Sequence, residues 1–118
     1  MTTQQLVETI TKGIQEKKGR EITVMNLRSI DGAVADYFIL CQGSSPSQIE
    51  AITESVSETV RKDCGEKPLN VIGLGSAQWV AMDYADVLVH IFLPETRQFY
   101  NLEELWEDAK MTNIPDLD

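Results

Sequence analysis

Gly75-Ser76 followed by Asp86-Val87-Leu88 is the arrangement in this chain that comes nearest to catalysis. A Gly-Ser loop ahead of two acids at i and i+2 of one strand can hold divalent metals and clamp a nucleotidyl transfer. Here the i+2 position is Leu88, and Asp83, three residues before Asp86, falls on the opposite face of a regular strand. The layout is present without its metal pair, so an atypical nucleotidyl-transferring enzyme would have to work through Ser76, Asp83 and Asp86. Gly73-Leu74-Gly75 lacks the third glycine and the Lys-Ser/Thr of a phosphate loop, and reads as the entry to a hairpin.

His90 is the only histidine. A general base would have to be this residue, with Ser44, Ser45 or Ser76 as nucleophile, and nothing in the spacing assembles a triad. In the alternation of Val87, Val89 and Ile91 against Leu88, His90 and Phe92, His90 reads either as a half-buried side chain with one hydrogen-bond partner or as a binding residue. Cys41 and Cys64 have neither a CxxC spacing nor the density of a disulfide scaffold, so both read as reduced structural thiols. No metal site and no cofactor are expected.

Trp79, Met82 and Tyr84 share the short stretch 79–86 with Asp83 and Asp86. On a regular strand Trp79 and Tyr84 lie on opposite faces, so at least one of them is exposed or half exposed. Aromatic anchors ringed by carboxylates suit a protein partner, with simple core packing as the alternative for Trp79.

Positioning these residues falls to a short list of elements. Leu6, Ile10 and Ile14 recur at helical spacing, Thr2 with Gln5 forms a capping box, and Gly19 follows Lys17 and Lys18, so a helix is predicted from about Thr3 to Lys18. Glu21 to Met25 alternates as a strand, and Tyr37 to Cys41 is a continuous apolar run suited to the sheet centre. Ser45 and Pro46 start a second helix, which Ile49, Ile52, Val56 and Val60 continue to Cys64 before Gly65, leaving Glu50, Glu54 and Glu58 as a solvated acidic ridge. Leu69 to Ile72, Gln78 to Tyr84 and Val87 to Leu93 read as strands, the last two joined tightly through Ala85 and Asp86. Pro94 opens a short helix through Tyr100, and Asn101 with Glu104 caps a final helix carrying Leu102, Leu105, Trp106 and Ala109. The expected architecture is α/β, a mixed five-stranded sheet flanked by helices, with one domain over residues 1–110 and a flexible acidic tail over 111–118.

Composition agrees with that class. The chain has 118 residues, 42% hydrophobic and 25% charged, which suits one globular domain and excludes global disorder. No apolar run approaches the roughly 20 residues of a bilayer span, and the polar start lacks a signal peptide's regions, so a cytoplasmic protein with no membrane partner is expected. Residues 83–118 hold nine acids against Arg97 and Lys110, and so carry −7 of the net −9. Phosphate backbones are repelled by such a balance, so little direct nucleic-acid binding is expected, and a basic protein is the natural counterpart.

The run Ala35-Asp36-Tyr37-Phe38-Ile39-Leu40-Cys41-Gln42-Gly43-Ser44-Ser45 and the hairpin Trp79-Val80-Ala81-Met82-Asp83-Tyr84-Ala85-Asp86-Val87-Leu88-Val89-His90-Ile91-Phe92 resemble the ribosomal silencing factor family, also called the Iojap family. Arg97-Gln98-Phe99-Tyr100-Asn101-Leu102-Glu103-Glu104-Leu105-Trp106 extends the likeness in order, so that it covers about residues 3–108. The resemblance implies a nucleotidyltransferase-like fold without catalytic acids, in agreement with Leu88, and a non-enzymatic task. It implies docking onto ribosomal protein fourteen of the large (50S) subunit, steric exclusion of the small (30S) subunit, and lowered translation under nutrient limitation. By match to the hairpin motif, Trp79, Met82, Asp83, Tyr84 and Asp86 are expected at the docking surface, with His90, Arg97 and Tyr100 beside it. An exposed sheet edge or apolar patch can also pair with a second copy when the protein is off the ribosome. A ligand-binding regulatory domain is the remaining alternative, and a small molecule that copurifies and raises the melting temperature would mark it.

Overall fold

Thr2 caps the first helix as its spacing from Gln5 requires: the threonine hydroxyl accepts from the Gln5 N–H at 3.1 Å, and the Gln5 side chain accepts from the Thr2 N–H at 2.8 Å. The computed structural model describes residues 2–116 and runs this helix, α1, over Thr3–Glu16. It stops two residues earlier than its charge pattern suggests, because Lys18 turns into the left-handed region and the Gly19 N–H returns to the Ile14 carbonyl. Two strands follow, β1 (Arg20–Asn26) and β2 (Tyr37–Gln42), and then α2 (Pro46–Cys64). Ser45 accepts from the Gln48 N–H at the start of α2, and Gly65 closes the helix with a φ of 68°.

The remaining elements are β3 (Asn70–Ile72), β4 (Trp79–Asp83), β5 (Val87–Phe92), α3 (Pro94–Tyr100), α4 (Leu102–Leu105) and β6 (Lys110–Ile114). All six strands form one sheet in the order β3-β4-β5-β2-β1-β6. β2 and β5 are parallel and central, and every other pairing is antiparallel. Central placement explains why Tyr37 to Cys41 reads as an uninterrupted apolar run, since all five side chains are buried.

The sheet divides two cores. Ile10, Ile14, Ile52 and Val56 of α1 and α2 pack on Ile39, Val80, Met82, Val89 and Ile91 on one face. On the other, Met25, Phe38, Leu40 and Phe92 lie under Leu27, Leu102, Trp106 and Ala109.

Two expectations change at the C-terminal end. The sheet has six strands, and residues 111–114 of the expected tail belong to β6, whose Met111 and Ile114 stand opposite Met25 and Ile22 of β1. Almost every residue of β6 is exposed, so no apolar alternation announces it. The strand forms because β1 offers an open edge, and because Thr23 donates to Asn113 while Asp116 accepts from the Glu21 N–H. The rest of the expected tail, Leu117 and Asp118, lies outside the described residues. The final helix is a single turn. The expected Asn101 cap does not form: Asn101 takes φ 47° and ends α3, its amide donates to the Glu104 side chain instead of its side chain accepting from the backbone, and Trp106 leaves helical geometry to cover Phe38.

Candidate docking face

Trp79 begins β4 directly after the β3–β4 turn, and that turn is built for it. Gly73 has φ 101°, and any Cβ there would collide with the Trp79 carbonyl, so only glycine lets the two backbones approach. The hairpin-entry reading of the Gly-Leu-Gly stretch therefore has a mechanical reason. On β4, Trp79 and Asp83 point away from α1 and α2, and Met82 points toward them.

The indole is half-buried in a cluster of rings. It stacks on Phe92 of the neighbouring strand at 5.1 Å between centroids and 28° between planes, and it meets Tyr100 of α3 at 4.7 Å. Its Nε1–H donates to His90 Nδ1 at 3.1 Å. An acceptor at Nδ1 puts the imidazole proton on Nε2, which is buried without a partner among the described residues. Phe38 meets the imidazole edge-on at 4.8 Å, and Phe92 lies nearly parallel to it at 5.9 Å. Burial pushes the His90 pKa down to about 4. His90 is therefore a neutral support beneath Trp79: it has the single partner expected of it, but it is buried and not half-buried, so it lies under the face and not at its surface.

A stability consequence follows for pH. The unfolded chain binds the His90 proton near pH 6.5 and the folded chain only near 4, so stability is full above about 6.5 and falls as pH drops toward 4. Urea unfolding of the wild type is expected to show about 2 kcal/mol less contribution from this residue at pH 5 than at pH 7.5. A His90→Gln variant should lose that portion of the slope, and an unchanged slope would refute the assignment.

Outside the rings the face opens to solvent. Tyr100 is 51% exposed and Phe99, set edge-on to it at 5.1 Å, is 81% exposed. The motif gives Phe99 no special weight, although a signal exists: adjacent aromatics on a helix diverge by about 100°, so one short helix cannot bury both. Asp83 lies on the same face of β4 as Trp79 but at the far end of the strand, where it shapes the β4–β5 turn, its Oδ1 accepting from the Ala85 N–H at 2.8 Å while Ala85 holds φ 70°. Asp86 is exposed, and its carbonyl accepts from the N–H groups of Asp36 and Tyr37, which ties the hairpin to the start of β2.

Three of the sequence-selected residues sit elsewhere. Met82 is fully buried beneath the helices and Tyr84 is buried on the same side, out of reach of any partner of the Trp79 face. Burial, reinforced by Glu66 and Cys64, raises the Tyr84 phenol to about 12, and its hydroxyl has no hydrogen-bond partner among the described residues. Both are displaced from the face by strand alternation, which the motif's linear spacing hides. Arg97 is buried too, and it acts as a fastener. Its guanidinium donates to the Glu21 carbonyl, to Thr23 Oγ1 at 3.1 Å and to Glu103 at 3.2 Å. Glu21 lies in a β-bulge of β1 with φ 51°, so Arg97 satisfies the distorted strand and clamps α3 and the Glu103 turn to it. Tyr100 and Phe99 are held in place by that clamp.

The nucleotidyl-transfer layout is not assembled. Ser76 is exposed in the β3–β4 turn, Asp83 is engaged with the next turn, and Leu88 fills the second acid's position on β5. Among the described residues no group of three or more His, Cys, Asp or Glu side chains is arranged to hold a metal ion. Cys41 and Cys64 are free thiols. Burial pushes Cys41 up to about 12, with Arg97 opposing weakly, so it stays protonated.

Comparison with known proteins now bears on this geometry. All of residues 1–118 match the model of a family described as "Ribosomal silencing factor during starvation". The chain is similar to the ribosomal silencing factor RsfS of Halalkalibacterium halodurans, at 34% identity over 97% of this chain and 96% of that one. It is 24% identical to the mouse protein named "Mitochondrial assembly of ribosomal large subunit protein 1", over 85% of this chain and 44% of that one. A crystallised protein from Chromobacterium violaceum shares its fold with a TM-score of 0.84 at 28% identity, over 98% of this chain and 94% of that one.

Proposed function

This chain belongs to the ribosomal silencing factor family, and from that premise we propose that it represses translation by docking on the large ribosomal subunit and keeping the small subunit away. The contact on the large subunit is ribosomal protein fourteen, and the block is steric, acting when nutrients are limited. The observation that carries the reading is the Trp79 face: an indole locked from below by His90, continued outward by exposed Tyr100 and Phe99, with Asp83 on the same face at the far end of β4. Rigid aromatic anchors beside carboxylates suit a basic protein surface, and the net charge of −9 steers the molecule toward one.

In this reading Trp79, Tyr100, Phe99, Asp83 and Asp86 meet the partner. His90 and Arg97 position them, and Met82 and Tyr84 stabilise the strand from the opposite side. Off the ribosome, the same apolar face can pair with a second copy. The task requires no catalysis and no cofactor, and Leu88 in place of an acid supports a non-enzymatic role. In this reading the protein works in the cytoplasm, and no helix among the described residues is long and apolar enough to cross a membrane. The mouse relative's name, which refers to assembly of the ribosomal large subunit, supports the choice of subunit.

The test is sedimentation with purified large subunits, followed by addition of small subunits at physiological magnesium. Co-migration with the large particle and loss of joined ribosomes are the expected results. Free protein at the top of the gradient, with joining unaffected, would overturn the proposal.

A further inference from the structure

On the layer opposite Trp79, α2 stops short of the sheet edge and leaves a groove of about 700 Å³ between itself and β3. One wall is the outer face of α2, where Glu50, Glu54 and Glu58 are exposed at four-residue spacing. The other wall is apolar: half-buried Val71 and Leu74, the latter 44% exposed, with Met82 at the floor. Leu69, 73% exposed, precedes the strand, and the outer edge of β3 has no neighbouring strand.

Among the described residues none of the three glutamates is in an ion pair. Ion pairs among the described residues join Lys12 to Asp63, Arg20 to Asp116 and Arg97 to Glu103, and Arg61 lines the groove without pairing to any of them. Like charges four residues apart on a helix oppose its formation, and the cations nearest the ridge, Lys12, Lys17, Arg61 and Lys62, offset that repulsion only through solvent, since none is in an ion pair with Glu50, Glu54 or Glu58. An apolar wall facing an acidic one matches one kind of side chain: the methylene stem of Lys or Arg lies on Leu69, Val71 and Leu74 while its charged head reaches the glutamates. Spacing agrees with an extended chain, because four helical residues advance about 6 Å and alternate residues of a strand about 6.7 Å.

We propose that this groove is a second protein-docking surface, which takes an extended segment with Lys or Arg at alternate positions, added along the free edge of β3. Other occupants meet the same ridge as a penalty. A nucleic acid brings phosphates to three carboxylates, and a second copy of this chain brings another acidic surface. The inference is independent of the silencing reading, since the groove and the Trp79 face lie on different layers.

The test is an amide-resolved NMR titration of the whole chain with a (Lys-Thr)5 peptide, with (Glu-Thr)5 and oligouridylate as controls. Saturable shifts confined to residues 50–61 and 69–74 are expected from the cationic peptide alone. E50Q/E54Q/E58Q, which removes three exposed charges and should leave the melting temperature nearly unchanged, is expected to weaken binding about tenfold. Leu74→Ser, at an exposed turn, should weaken it as well. Shifts centred on the acids of residues 103–108, shifts spread over the surface, or equal affinity in both variants would overturn the proposal. So would oligouridylate binding in the groove, or shifts there that grow with protein concentration alone.

Discussion

Replacing Arg97 with alanine is expected to lower stability by about 3 kcal/mol or more, and the melting temperature by about 10 °C. The size comes from what the guanidinium leaves behind. The Glu21 carbonyl loses its donor inside a bulge that already holds Glu21 at positive φ, Thr23 loses a donor to its hydroxyl, and Glu103 keeps a partly buried charge without its cation. Arg97→Lys should recover only part of the loss, because one ammonium cannot reproduce a planar fork aimed at three acceptors. Urea unfolding at pH 7 measures both. An alanine variant within about 1 kcal/mol of the wild type would show that the fastener is dispensable. Loss of the clamp should also loosen α3, so Tyr100 and Phe99 would sharpen as mobile side chains in NMR spectra before the sheet unfolds.

Trp79→Ala carries the largest expected effect on function: affinity for the large subunit should fall at least about 30-fold, the roughly 2 kcal/mol that marks a dominant interface residue. The fold should survive. Trp79 is half-buried at the first position of β4, and its removal costs contacts with Phe92 and Tyr100 while leaving both main cores intact, a loss of about 2 kcal/mol. Trp79→Phe separates the contributions, keeping a ring against Tyr100 and removing the N–H that His90 accepts. Its affinity should fall between the wild type and the alanine variant. Undiminished co-sedimentation of a folded alanine variant would remove Trp79 from the interface, and an unfolded circular dichroism spectrum would move it to the core.

Arg97 and Trp79 also mark where the sequence is readable. The W-x-x-x-D-Y-x-D hairpin, the capped starts at Thr2 and Ser45 and the apolar run of β2 depend on neighbours a few residues apart, and all are visible in the linear pattern. Opposite placement of Trp79 and Tyr84 follows from strand alternation alone. Met82 shows the limit of motif reading, because it stands beside the anchor in sequence and faces the other core in space. Phe99 shows the converse, a large exposed ring within a motif that gave it no special weight.

By itself, then, the sequence determined the α/β class, the first two helices with their caps, the hairpin, the acidic balance and the family to which the chain belongs. These rest on local periodicity, on side-chain to backbone bonds three or four residues long, and on residue identities in order. Only the tertiary structure decided that Arg97 fastens instead of docking, that His90 accepts from Trp79, that residues 110–114 form a strand, and that α2 leaves β3 uncovered. Each depends on partners far apart in the chain: Arg97 reaches Glu21 across 76 residues and Thr23 reaches Asn113 across 90. Backbone groups on an open edge take whatever ladder the fold brings them, and a buried guanidinium takes whatever acceptors surround it, so no local pattern could announce either one.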